Sequence, residues 1–218
     1  MSYGRRVFAN LRKAIVFVVA VHVPIVGLSI IPVLMGWPLL LMPVHVLFLQ
    51  LIIDPTCSVV FEAEPLEKNA MRVPPREVGM RLFDAAVLMR GVLQGLGLLG
   101  ILVGVYAVSR SWTQSDDVAR AMAFMVLVLS NLGLIYINRA WGRTTWRGRG
   151  PANSAFAWVS GLTVLLLACV LGIPAVRELF TFALPPYGLV LAGLGMAGAA
   201  VVWFEAVKWM SFGAARQR

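Results

Sequence analysis

The sequence predicts an all-α membrane protein, a six-transmembrane-helix bundle whose second helix is discontinuous. Three observations carry that reading. Of the 218 residues, 60% are hydrophobic and only 13% charged, against roughly 25% charged in a soluble domain; the mean hydropathy is +0.83. Six apolar stretches, near 14–35, 39–61, 83–108, 118–137, 155–173 and 187–207, reach the about 20 residues that cross a hydrocarbon core about 30 Å thick. The basic residues alternate between the connections. Arg5, Arg6, Arg12 and Lys13 precede the first span, and Lys68, Arg72, Arg76 and Arg81 follow the second. Arg139, Arg143, Arg147 and Arg149 follow the fourth, and Lys208, Arg216 and Arg218 follow the sixth. The other three connections hold only Arg110 and Arg177, with Arg120 just inside a span. Because Lys and Arg collect on the cytoplasmic side, this places both termini and the two long loops inside a cell membrane crossed six times. The net charge of +9 is therefore a topology signal and not a nucleic-acid signal.

Along the chain, residues 1–13 are polar and basic and read as a cytoplasmic stalk on the first helix, within a single membrane domain 1–218. Pro24 and Pro32 interrupt the first span and free the carbonyls of Ala20 and Leu28. Gly36-Trp37-Pro38 leaves room only for a tight hairpin, so the first two spans pack antiparallel. Residues 62–81 are charged, carry Pro65, Pro74 and Pro75, and read as an extended, docked connection. Gly91-x3-Gly95 and Gly100-x3-Gly104 in the third span, with Gly188, Gly193, Gly195 and Gly198 in the sixth, have the small-residue spacing of close helix approach. Trp141 and Trp146 among the arginines of 139–149 read as an interfacial belt. Cys57 and Cys169 both fall in spans, so a disulfide framework is not implied, and Cys57 reads as packing.

One residue stands apart from this apolar background. Asp54, in Gln50-Leu51-Ile52-Ile53-Asp54-Pro55, sits inside a span, where a carboxylate costs roughly 2.5–3.5 kcal/mol or more to insert. Pro55 donates no N–H, leaves the Leu51 carbonyl without its helical partner and predicts that Asp54 departs from helical dihedrals. A carboxylate beside freed carbonyls is the composition of a cation site on a broken membrane helix. Gln50 is one turn earlier on the same face, whereas His45 is nine residues before Asp54 and faces elsewhere. His22, two before Pro24, is an imidazole that could ligate a cation, hydrogen-bond Asp54 or relay protons. Glu205 and Lys208, at i and i+3 near the end of the last span, read as an ion pair that anchors helix depth.

The run Gly4-Arg5-Arg6-Val7-Phe8-Ala9-Asn10-Leu11-Arg12-Lys13-Ala14-Ile15 resembles the segment leading from the phosphorylation domain into the fifth transmembrane helix of P-type cation-transporting ATPases. Pro43-Val44-His45-Val46-Leu47-Phe48-Leu49-Gln50-Leu51-Ile52-Ile53-Asp54 resembles the sixth helix of the calcium-pump-like branch. Glu62-Ala63-Glu64-Pro65 and Met71-Arg72-Val73-Pro74-Pro75-Arg76 resemble the following loop, and Glu205-Ala206-Val207-Lys208 resembles the acid–lysine pair of the tenth helix. The resemblance covers helices five to ten. It implies that Asp54 is the main cation ligand and Gln50 an amide ligand, with His22 where calcium pumps have an asparagine and Ile25 in place of their acid. On the span matching the eighth helix the polar candidates are the uncharged Ser130 and Asn131.

The 218 residues contain no Asp-Lys-Thr-Gly-Thr run, the phosphorylation motif of that family. The expectation is a membrane-embedded translocation part without phosphorylation, nucleotide-binding or actuator domains, a split half or gene fragment that is no enzyme on its own. Its cargo would be calcium, another cation or a proton, with ATP and magnesium engaged only through the missing domains. Its partners would be the lipid bilayer and a separate chain carrying the catalytic domains and first four helices, with no nucleic acid. A free-standing six-helix accessory protein or passive ion path is the alternative.

Overall fold

The computed structural model describes residues 2–65, 84–139 and 153–215, with the side chains of 2, 57–58 and 211–215 outside the description. The docked connection and the tryptophan belt expected from sequence fall mostly or wholly outside these residues, as does the Cys57 side chain. All regular structure among the described residues is helical. Five helices are long and apolar enough to cross a membrane: α1 (Ser2–Leu34), α3 (Ala85–Thr113), α4 (Asp116–Arg139), α5 (Ser154–Gly172) and α7 (Tyr187–Ala215). A shorter apolar helix, α2 (Pro43–Pro55), runs directly into a π-helix over Thr56–Val60. At an α-helical rise those two segments together reach about 25 Å, close to a hydrocarbon thickness.

The helix α1 is continuous over 33 residues despite Pro24 and Pro32, which is about 50 Å and longer than the bilayer core. Its end is set by Gly36, whose φ of 65° lets the Gly36 and Trp37 N–H groups turn back onto the carbonyls of Val33 and Pro32 at 3.3 and 2.8 Å. The hairpin is wider than the sequence suggested. The second helix begins at Pro43, not near 39, because proline at the first helical position is preset for a start there, and Leu40 and Leu41 are spent on the core.

The expected break at Asp54 takes a different form. Asp54 remains inside α2, and Pro55 itself has φ −63° and ψ −32°, ordinary helical values. What the missing N–H changes is the hydrogen-bond register. The chain relaxes into π-helix, with Phe61 N–H donating to the Thr56 carbonyl at 3.2 Å and Thr56 Oγ1 donating to the Ile52 carbonyl at 2.7 Å. Such π segments relieve a missing α-helical bond without interrupting the helical path.

The central helix is α4, buried on all sides from Val118 through Val128. It packs against α3 and α7, while α1 lies mainly along α3, and α5 covers α4, α2 and the π segment. Gln114, in the left-handed region at φ 52°, makes the two-residue turn between α3 and α4. A helix not anticipated from sequence, α6 (Pro174–Leu179), fills the connection between α5 and α7.

Three of the eight glycines of the pattern, Gly91, Gly95 and Gly193, make close contacts. A methyl on Gly95 would stand 2.7 Å from the Ala20 carbonyl oxygen and 2.6 Å from Val23 Cβ, and one on Gly91 would stand 2.9 Å from the Val16 carbonyl oxygen. This is where α1 and α3 approach backbone to backbone. Gly193 faces Met122 and Met125. Gly100, Gly104, Gly188, Gly195 and Gly198 meet nothing within 4 Å, so their spacing does not mark close helix contacts here. Gly95→Ala should therefore destabilise the bundle by about 1–3 kcal/mol through overpacking, read as a lower unfolding temperature in detergent. Gly100→Ala should be neutral, and equal stability of the two variants would refute the close approach.

Candidate functional site

Hydrogen bonds and ring contacts relate the helices in depth. Just past the π segment, Asn10 Nδ2 donates to the Glu64 carbonyl at 2.7 Å and the Phe17 and Phe61 rings lie 5.4 Å apart, which ties the first part of α1 to the end of that segment. With the Leu34-to-Pro43 hairpin at the other end, these pairings set His22 level with residues 52–56. The α4 helix runs parallel to α2. Arg120 Nε donates to the Leu39 carbonyl at 3.1 Å at one end, Phe48 meets Phe124 at 5.4 Å, and Arg139 Nε donates to Glu64 Oε2 at 2.8 Å at the other. That register sets Asp54 level with Ser130 and Asn131. Asp54 lies ten residues from Glu64 and fifteen from Leu39, so this level is near the middle of the span.

The α2 helix has two unlike faces. His45, Leu49, Ile52 and Ile53 are buried, whereas Leu47, Leu51 and Asp54 are exposed. Asp54 and His45 thus lie on opposite faces, as the nine-residue separation requires. Gln50 is half-buried, and its Oε1 is a buried acceptor with no hydrogen-bond partner. On α1 the residues Val26, Ser29, Ile30 and Val33 continue an exposed stripe from the half-buried His22.

The two histidines, the only two in the chain, differ in what their ring nitrogens can do. The N–H of Met42 donates to His45 Nδ1 at 3.0 Å, so that nitrogen is bare of hydrogen and Nε2–H donates to the Phe180 carbonyl at 2.9 Å. Both nitrogens are spent, and the ring is stacked on Phe182 at 4.8 Å and flanked by Phe124 and Phe180. His45 is a structural core residue. His22 is the reverse. Its Nδ1 lies 2.7 Å from the Val18 carbonyl oxygen, which can only accept, so Nδ1 carries the hydrogen and the neutral ring keeps its lone pair on Nε2.

Within α4, Ser130 Oγ and both amide atoms of Asn131 are buried without a hydrogen-bond partner. A buried polar atom left unmatched costs about 1–3 kcal/mol, and some of the bundle's unmatched polar atoms lie at the level of Asp54. Among the described residues no group of three or more His, Cys, Asp or Glu side chains could hold a metal ion. At this level the chain offers one carboxylate, amide oxygens, a hydroxyl and one imidazole.

Polar clasps close the two ends of the bundle. At one, Arg120 donates to Asp117 at 2.8 Å, to the Thr181 carbonyl at 2.8 Å and to Leu39, tying α4 to both loops beside it. At the other, buried Glu64 accepts from Arg139 and from Asn153 Nδ2 at 2.8 Å, while Asn153 also donates to the Val60 carbonyl at 3.0 Å and caps α5 through Phe156 N–H. Glu205 and Lys208 do pair, at 3.5 Å, but both are buried inside the bundle and do not sit at its surface. The Glu64 clasp escaped sequence reading because its partners lie 54 to 89 positions away in the chain.

The fold and this level define a polytopic helical membrane protein with a polar stratum across an apolar bundle. Residues 38–210 match the family model described as cation transporting ATPase, C-terminus, and the chain belongs to that family. It is 25% identical over 216 residues to a calcium-transporting ATPase of Listeria monocytogenes, covering 95% of this chain and 23% of the relative. It is 24% identical over 209 residues to calcium-transporting ATPase 1 of Bacillus cereus, covering 86% and 23%. The calcium-transporting ATPase of Bacillus subtilis is 26% identical over 189 residues, covering 84% and 21%. The chain thus spans less than a quarter of the length of these relatives, whose C-terminal membrane region the family match identifies.

Proposed function

We propose that these residues form the cation-holding membrane part of a P-type ATPase, with Asp54 as main ligand and Gln50 and His22 as supporting ligands. The observation that carries this reading is the placement of Asp54. A carboxylate stands at mid-depth on the exposed face of a helix whose opposite face is packed with aromatic rings. Exposure of a charge to lipid there is costly, so this face is one that further helices cover in the working assembly. Phosphoryl transfer then comes from domains outside these 218 residues, and α1, extending past the bilayer through Arg5 and Arg6, is the element that couples to them. The relatives transport calcium by name, which makes a divalent cation the first cargo to test.

The basic ends of α1 and α7 face the cytoplasm of a cell-membrane protein in this reading. Two measurements on the full chain in lipid nanodiscs and in cells test it. One cation should bind saturably per chain, and absence of saturable binding of any ion contradicts the reading. With Cys57 and Cys169 replaced, a cysteine at Gly36 should label from outside the cell and one at Tyr3 only after permeabilisation. Labelling of both from the same side would overturn the orientation.

A further inference from the structure

We propose that His45 is a proton-operated latch: its neutral ring holds the connection between α6 and α7 as a plug in the hairpin end of the bundle, and protonation releases it. The proposal goes beyond the cation-holding reading and does not depend on it. Phe180 and Phe182 are buried, while Leu179 and Leu184 on either side of them are exposed. Both rings lie against His45, at 5.5 and 4.8 Å, and both meet Phe124, at 6.0 and 5.3 Å. Between them Thr181 takes φ 49°, a left-handed conformation that a β-branched residue adopts only when its surroundings impose it. Polar contacts impose it here. Arg120 Nη1 donates to the Thr181 carbonyl at 2.8 Å and to its Oγ1 at 3.1 Å, and Ala183 N–H donates to the Asp117 carbonyl at 3.4 Å. A strained segment tied by a few bonds at a bundle end is one that detaches locally, without global unfolding.

The latch is the pair of bonds that the neutral ring makes. Nε2–H donates to the Phe180 carbonyl at 2.9 Å, and Nδ1 accepts from Met42 N–H at 3.0 Å, so one imidazole joins the plug to the first turn of α2. Protonation keeps the first bond and destroys the second, because Nδ1 becomes a donor facing a donor. Even where the new hydrogen finds the Leu40 carbonyl beside the ring, the Met42 N–H, at the N-cap of α2, loses its acceptor. The ring is fully buried, and the plug is a part of its cover that reaches the surface, so detaching the plug is what hydrates the imidazolium. The charged groups on the elements around the ring are Arg120 and Asp117 on α4, which pair at 2.8 Å, and Arg177 and Glu178 on α6. Arg110 pairs with Asp116 at 2.6 Å across the turn from α3 to α4. Tyr106, Cys169 and Tyr187 are the uncharged titratable groups at this end, and residues 35–42 and 180–186 carry no charge.

The test follows the full chain in lipid nanodiscs from about pH 8 to about pH 5, either side of the ordinary imidazole value of about 6.5. Nitrogen NMR of histidine-labelled protein reads the ring, and hydrogen exchange, corrected for its intrinsic pH dependence, reads the amides of 42 and 180–183. His22 is told apart by its opposite tautomer, with the hydrogen on Nδ1. The expected result is a His45 ring that gains its second hydrogen as those amides lose about tenfold or more of their protection, while residues 121–128 of α4 keep theirs. In His45→Gln, whose amide can accept from Met42 and donate to Phe180 without titrating, protection should not change with pH. A ring that stays neutral at about pH 5 overturns the proposal, as does a charged ring with unchanged protection or a His45→Gln protein with the parental pH dependence. Should His45→Gln fail to fold, the parent decides: ring and exchange midpoints within about half a pH unit support the latch, and a wider gap refutes it.

Discussion

Asp54→Asn should abolish cation affinity, by a hundredfold or more, while leaving the fold unchanged. The substitution keeps the shape and removes the charge of the one mid-depth carboxylate among the described residues. An isolated divalent ion that loses its single anionic ligand at low dielectric loses the largest attractive contribution of the site. Stability is spared because the side chain lies on the exposed face of α2, away from the buried row of His45, Leu49 and Ile52. His45→Ala is the matched control. It should cost about 2–4 kcal/mol of stability, comparable to other large-to-small core changes, because it empties the centre of the Phe124–Phe180–Phe182 cluster. Its effect on affinity should be small. Calorimetric titration alongside thermal unfolding separates the two, and loss of affinity in His45→Ala with retention in Asp54→Asn would reverse the assignment of the two faces.

Glu64→Ala should give the largest loss of stability, about 3–5 kcal/mol. Removing one partner of a buried pair leaves the other charge uncompensated, and here Arg139 is nearly as buried as Glu64. The carboxylate also accepts from Asn153, which in turn holds the Val60 carbonyl at the end of the π segment. Loss of the clasp therefore loosens the junction among α2, α4 and α5 at once. Glu64→Gln keeps an acceptor for Asn153 and should cost less. Unfolding of the three proteins in graded denaturing detergent measures the order, and equal midpoints for Glu64→Ala and the parent would remove the clasp from the account.

Much of this architecture was legible in the order of residues, and the reasons are physical. The long apolar helices follow from the length that a bilayer imposes, five of them reaching it and α2 falling short, and the face opposition of Asp54 and His45 follows from helical periodicity. The proline after Asp54 showed where the helix would change, but not how. A missing N–H can be met by breaking the path or by shifting the hydrogen-bond register, and neighbouring packing decided for the second. Glycine spacing could not say which glycines face a helix, since Gly91 and Gly95 meet α1 while Gly100 and Gly104 face open space. The six-residue α6, with Phe180 and Phe182 beside it, has no span signature in the sequence because it is short and carries Arg177 and Glu178, although Pro174 marks a helix start. His22 was legible as an imidazole in a span, but the nitrogen it keeps free is set by a contact with Val18 that only the folded helix shows.

The central claim is that Asp54 holds the ion that a complete pump moves. It is tested most directly by co-reconstituting this chain with a partner that supplies the catalytic domains and remaining helices, then following ATP-driven cation uptake into sealed vesicles. Uptake should require both halves, persist with His45 intact or conservatively replaced, and vanish with Asp54→Asn. ATP-driven uptake at the parental rate by the Asp54→Asn assembly would contradict the claim.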